Sequence, residues 1–249
     1  RPVGDPISGP RCLVPEASVR NGLGRYTFDS PRQIARMRHC FEDAAVFRDH
    51  KASPSRLVAS MERRILGGPL LGPQFVRVEL CTGRRGTRVG LPFAGEIQRP
   101  PMDLATFRRI IDGLGDSGDT IVAFDGLGDP MLHPRFDEFA RLAIDAGIRA
   151  VRIRTDLAMD RAVVDRLIAA PFATIEVDLD AESRQVYDRV HGIDLFDQVR
   201  ANLEHVIESR RTFGGVDSDR NRAYGLPWIV PRIERREETI DEIPEFFER

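Results

Sequence analysis

Thr120-Ile121-Val122-Ala123-Phe124-Asp125-Gly126-Leu127-Gly128-Asp129-Pro130 decides the fold. A short run rich in β-branched residues, ended by a loop with two glycines, reads as a buried strand followed by a tight turn. Phe136, Phe139, Ala140 and Ala143 then recur at helical spacing as far as Gly147, and Ala150 to Arg154 reads as the next strand. Two strands joined through a helix form a parallel crossover unit, because parallel pairing requires a connection of that length.

Working outward, the same alternation gives five strands: Phe75 to Cys81, Thr120 to Phe124, Ala150 to Arg154, Thr174 to Leu179 and Trp228 to Ile233. Between them fall helices at Met102 to Leu114, at Phe136 to Ala143 and at Ala162 to Ala169 with Asp160 as its cap. Ser183 to Val190 and Phe196 to Arg210 form a broken crossover, and a last helix starts near Glu237. Short β-branched strands alternating with helices predict an α/β fold with a buried parallel sheet. Before it, residues 1 to about 30 are rich in Gly, Pro and Ser and read as a linker or the tail of an upstream domain. A helix follows from Pro31, with Ile34, Met37, Arg38 and Phe41 on one face. A second runs from Ser55 to Leu66, closed by Gly67-Gly68-Pro69.

Composition narrows the function. With 249 residues, 41% hydrophobic and 31% charged, the chain can bury a large core. A net charge of -2 supplies no excess of cations for nucleic acid or an anionic membrane, so neither partner is expected. Lys51 is the sole lysine and lies before the sheet, which argues against a Schiff-base enzyme and a phosphate-loop nucleotidase. Cys12, Cys40 and Cys81 form neither a disulfide framework nor a zinc motif, and a reducing cytoplasm is the expected location. There is no Gly-x-Ser-x-Gly and no His-Glu-x-x-His, so no catalytic residue is assigned. The start at Arg1 and the end on Phe246-Phe247-Glu248-Arg249 give the expectation of a fragment.

In parallel α/β folds the ligand lies at the carboxyl ends of the strands. That rule directs attention to Thr82–Gly95, Asp125–Pro130, Thr155–Ala158, Asp180–Glu182 and Glu234–Arg236. Gly126 and Gly128 allow a close backbone approach, and Asp129 can accept a hydrogen bond from an amine. The other reading of this loop is a tight turn in which Asp129 or His133 caps the next helix. Thr155, Asp156, Asp178 and Asp180 either meet a ribose hydroxyl or a cation, or are strand-end residues held by backbone donors. His191 and His205 read as surface or packing residues without a spaced carboxylate partner.

Asp125-Gly126-Leu127-Gly128-Asp129-Pro130-Met131-Leu132-His133-Pro134 resembles the Gly-Gly-Glu region after the second strand of radical S-adenosylmethionine (SAM) enzymes. Val78-Glu79-Leu80 followed by Pro101-Met102-Asp103-Leu104 resembles that family's first strand and first helix. Ile175 to Asp180 resembles its fourth strand, and Tyr187-Asp188-Arg189-Val190-His191-Gly192 its Tyr-x-x-x-Arg-Gly stretch. The resemblance implies a partial (β/α) TIM-type barrel over residues 73–249, truncated at its C-terminus, preceded by an N-terminal helical and irregular extension over residues 1–72. It also implies SAM contacts at Gly126, Leu127, Gly128, Asp129, Thr155, Asp156, Asp178 and Asp180.

The family's CxxxCxxC motif is missing. Counted from Glu79, its positions hold Arg84, Arg88 and Leu91, with Pro92 following. Three thiolates hold three irons of such a cluster, and neither arginine nor leucine can replace them. One thiolate, Cys81, cannot either, and it reads as a small buried hydrophobe. The expectations are that the 4Fe-4S cluster is absent, that no protein-bound metal is held, and that SAM binds weakly or not at all. A binding, scaffolding or regulatory protein with a small-molecule or protein partner is one reading. The alternative is an enzyme, with cluster ligands from outside this chain or with non-radical chemistry at Asp129, Asp178 and Asp180. Arg84, Arg85 and Arg88 either bind an anion or are solvated loop side chains, the commoner state of charged loops.

Overall fold

The computed structural model describes residues 2–3, 12–13, 34, 38, 72–87, 97–114, 120–209 and 227–248. The chain divides into two compact units, Arg1–Leu71 and Gly72–Arg249. In the first, Pro2–Val3 pairs antiparallel with Cys12–Leu13, a short ladder inside the stretch read as irregular. Ile34 and Arg38 are helical and exposed. Met37, Phe41 and the helix expected over Ser55 to Leu66 lie outside the described residues.

Among its described residues the second unit holds one open sheet of five parallel strands in sequence order: β1 (Phe75–Val78), β2 (Ile121–Phe124), β3 (Ala150–Thr155), β4 (Phe172–Asp178) and β5 (Trp228–Arg232). The described α-helices are α1 (Leu104–Asp112), α2 (Phe136–Asp145), α3 (Arg161–Ala169), α4 (Arg184–His191), α5 (Phe196–Ser209) and α6 (Ile243–Glu248). This is the expected partial (β/α) barrel. β1 ends at Val78 rather than Cys81 because the chain then leaves the sheet, and Met102 N–H donates to the Leu80 carbonyl at 2.8 Å. The last helix begins at Ile243, after a 3-10 turn over Ile240–Glu242, and not near Glu237.

Strand parity sorts the core. In β3, Val151, Ile153 and Thr155 are buried while Arg152 and Arg154 are only partly so, the period-2 alternation of a two-faced strand. The register aligns Val78, Phe124, Ile153, Ile175 and Ile229 across the sheet. All but Ile229 are buried, and they share one core with Phe107, Ile111, Phe136, Phe139, Val164, Leu167 and Val199 of the helices. Phe107 meets Phe124 edge-on at 5.9 Å between ring centroids and Phe139 at 4.9 Å, which fastens α1 and α2 to the sheet.

The other face is charged. Glu176 on β4 accepts from Arg152 on β3 and Arg232 on β5, and one row above, Arg154 Nε donates to both oxygens of Asp178 at 2.8 and 2.9 Å. These cross-strand pairs give each half-buried arginine a carboxylate. The local caps follow the sequence in part. Asp103 and Ser183 accept from Thr106 N and Val186 N at the starts of α1 and α4. Asp160 stands at the start of α3 but makes no side-chain cap bond.

Candidate functional site

The carboxyl ends of β1, β2, β3 and β4 meet in one buried polar cluster built around Asp129 and Arg84. Asp129 is fully buried. Its Oδ1 accepts from Met131 N–H at 2.9 Å, and its Oδ2 accepts from Thr155 Oγ1 at 2.7 Å and Asp156 N–H at 2.9 Å. The first bond caps the 3-10 turn Pro130–Leu132, and the other two tie that turn to the end of β3. Burial, with Asp156 beside it, pushes the Asp129 carboxyl upward, while the three donors and the Arg84 cation favour the anion. Of the two capping candidates, Asp129 caps the 3-10 turn; His133 Nδ1 accepts from Arg135 N–H at 3.1 Å, but α2 starts after Arg135 without a side-chain cap bond.

The glycine loop is closed against the segment that follows β1. A Cβ on Gly128 would stand 2.4 Å from the Cys81 carbonyl oxygen and 2.6 Å from that of Gly83. Asp129 N–H donates to the same Gly83 carbonyl at 2.8 Å. At Gly126 the would-be neighbour is Glu79, whose Oε2 accepts from Leu127 N–H at 2.7 Å. The close approach that glycine permits is thus made to the protein's own first loop.

Arg84 lies inside this closure. Only 5% of its side chain is exposed, and its Nη1 stands 3.2 Å from Asp156 Oδ2 and 3.9 Å from Asp178 Oδ2. This corrects the solvated reading, which holds for Arg85, 40% exposed and 4.0 Å from Asp160. Arg88 and Leu91 lie outside the described residues. The guanidinium bridges the ends of β3 and β4, and Asp178 is further held by Arg154 and, at 3.7 Å, by Arg232. Cys81 donates its thiol to the Asp129 carbonyl at 3.1 Å, and burial, with Asp129 beside it, pushes that thiol up to about 11. At neutral pH it is a protonated side chain packed under the loop.

Asp180 sits just beyond β4 with φ 54°, a left-handed conformation, and accepts from Glu234 N–H at 2.7 Å. Burial, with Asp178 beside it, raises its carboxyl to about 6. Its Oδ2 is 3.9 Å from His191 Nε2, which faces the Leu179 carbonyl at 3.2 Å. His191 is buried, and burial pushes its imidazole down, which keeps it neutral. His205 is different from its reading: it has a carboxylate partner, Asp165, at 2.8 Å across α3 and α5.

The structure therefore joins Asp129, Thr155, Asp156 and Arg84 by hydrogen bonds, links Asp178 to them through its 3.9 Å ion pair with Arg84, and sets Asp180 beside them. Arg154, Glu176, Arg232 and Tyr187 were not singled out as site residues. The alternation of arginine and apolar residues on β3, opposite acidic residues of the same parity on β4, carried that signal. Among the described residues no three His, Cys, Asp or Glu side chains are grouped to hold a metal ion.

No protein-family profile matches the chain. Over 135 residues, 53% of the chain, it is 27% identical to an AdoMet-dependent heme synthase of Methanosarcina barkeri. Over 111 residues, 44% of the chain, it is 28% identical to a GTP 3',8-cyclase of Chlorobaculum tepidum. Both relatives support the likeness to the radical SAM superfamily. The fold agrees: the crystal structure of Streptococcus suis SuiB bound to S-adenosylmethionine superposes with a TM-score of 0.54 over 86% of this chain at 14% identity. The SuiB structure bound to precursor peptide SuiA gives 0.53 over 80% at 15% identity. The chain spans 38% and 33% of the two curated relatives, and 49% and 43% of the two SuiB chains. Among its described residues no helix is long and apolar enough to cross a membrane.

Proposed function

We propose that this chain is a radical SAM-fold protein that works by binding, as a scaffolding or regulatory module, and holds no iron–sulfur cluster of its own. One observation carries the reading. Arg84, at the position where the family's first cluster cysteine is expected, is buried and paired with Asp156 and Asp178. A permanently charged guanidinium donates hydrogen bonds and offers iron no lone pair. Cys81, with its thiol raised to about 11, supplies little thiolate. The described residues of the first loop thus do not fit a cluster, and no reductive cleavage of SAM is derived through them.

The same groups disfavour SAM. Asp129 spends its carboxylate on Met131, Thr155 and Asp156, and the sulfonium of SAM would meet the Arg84 cation. Loss of a metal bond costs several kcal/mol, and each ~1.4 kcal/mol is tenfold in affinity, so a micromolar site falls toward the millimolar range. Titration calorimetry with SAM, run beside an anaerobic assay for 5'-deoxyadenosine, tests this reading. The expected result is no micromolar binding and no product; micromolar binding with product formation overturns it.

A further inference from the structure

β1 is an edge of the sheet: among the described residues only β2 pairs with it. Ile121 N–H donates to the Gln74 carbonyl at 2.8 Å and Asp125 N–H to the Val78 carbonyl at 3.3 Å, so Gln74, Val76 and Val78 turn their backbone groups toward β2. Alternate residues of a strand turn theirs the other way, which points the N–H and C=O groups of Phe75, Arg77 and Glu79 outward. A cavity of about 490 Å³ lies along this edge, lined by Val76, Met102 and Ile110 on the α1 side and by Arg77, Glu79 and Arg99 on the other. That volume falls in the range of ligand sites, and the three apolar side chains, only half-buried, offer contact area.

Backbone and charge together select the occupant. The edge offers donors and acceptors in a row, which an extended peptide matches by adding a strand. Strand periodicity then lays alternate peptide side chains on the two faces, one set against Val76, Met102 and Ile110 and the other beside Arg77 and Arg99. The side chains of those two arginines are 70% and 63% exposed, whereas those of their partners Asp125 and Glu79 are 11% and 23% exposed, so the charge presented outward is positive. On the α1 side Asp103 accepts from Thr106 and Arg109 donates to it, and the two charges balance. A second copy of the chain fits less well. Two β1 edges paired about a two-fold axis would set Arg77 against Arg77, and like charges directly opposite are destabilising.

We infer that the β1 edge binds an extended peptide segment of alternating apolar and acidic residues, by strand addition along Phe75, Arg77 and Glu79. The inference goes beyond the cluster question, since it uses neither Arg84 nor the carboxylates that hold it. The test is fluorescence anisotropy on the full chain with a dye-labelled Val-Glu-Val-Glu-Val peptide. One control is Val-Lys-Val-Lys-Val. The others are two N-methylated forms of the acidic peptide, one blocked at the valine amides and one at the glutamate amides, because strand addition uses only one of these sets. The expected result is saturable binding of the acidic peptide, with binding at least about tenfold weaker for the lysine peptide, for one of the two N-methylated forms and in Arg77→Glu. No saturable binding overturns the inference; so does equal affinity for the lysine peptide, equal affinity of the two N-methylated forms, or unchanged affinity in Arg77→Glu. Should that variant fail to fold, Arg99→Glu takes its place. A chain that sediments as a dimer and takes up no peptide gives the edge to a second copy and overturns the inference as well.

Discussion

Arg84 Nη1 lies 3.2 Å from Asp156 Oδ2, with 5% and 1% of the two side chains exposed, so a residue of the first loop closes an ion pair with the end of the third strand. Removing one partner of such a pair leaves the other charge buried and uncompensated, which costs about 3–5 kcal/mol. Asp178 keeps Arg154, so Asp156 bears most of the loss. Arg84→Met is expected to destabilise the protein by about 3 kcal/mol. Urea unfolding of Arg84→Met, Asp156→Asn and the double variant checks it: the double variant should lose less than the sum of the singles, and strict additivity would mean that the pair is not coupled.

The two glycines should differ. At Gly128 a methyl group meets the backbone carbonyls of Cys81 and Gly83, which cannot move without breaking the Asp129–Gly83 bond. At Gly126 it meets the Glu79 side chain, which can swing away at the loss of its bond to Leu127. Gly128→Ala is expected to cost at least about 3 kcal/mol and Gly126→Ala about 1–2 kcal/mol. Thermal unfolding of the two variants ranks them, and the reverse order would contradict the packing described.

Asp180 gives a pH signature with a definite sign. Its folded carboxyl, raised from 3.8 to about 6, binds its proton more tightly than the unfolded one. Stability therefore falls as pH rises from about 4 through 6, and the whole penalty is present above that range. Asp180→Asn keeps an acceptor for Glu234 N–H and suits the left-handed backbone. It is expected to be more stable than wild type above pH 6, by up to about 3 kcal/mol at ~1.4 kcal/mol per unit, and nearly equal to it below pH 4. Unfolding curves at pH 4 and pH 7.5 measure the difference; a gain that is the same at both would remove the carboxylate as its cause.

The five strands and their order were legible because β-branched runs and helical periodicity are local properties. The buried network was less so. Val151-Arg152-Ile153-Arg154 shows its alternation in the sequence, but the partners of those arginines, Glu176 and Asp178, are 24 residues away. Arg84 and Arg85 are adjacent and chemically identical, yet one is buried and the other is not. Their difference depends on Asp156, 72 residues on, which only the fold brings near. The cap at Asp129 was readable because capping is settled within a few residues. The His205–Asp165 contact, between two helices, was not.

In the proposed reading Arg84 fills the position of a cluster ligand. Anaerobic reconstitution of the wild-type chain with iron and sulfide, followed by iron analysis and visible absorption, tests it most directly. No stoichiometric iron and no charge-transfer band are expected. A brown protein with about four irons per chain, as one 4Fe-4S cluster supplies, would contradict it.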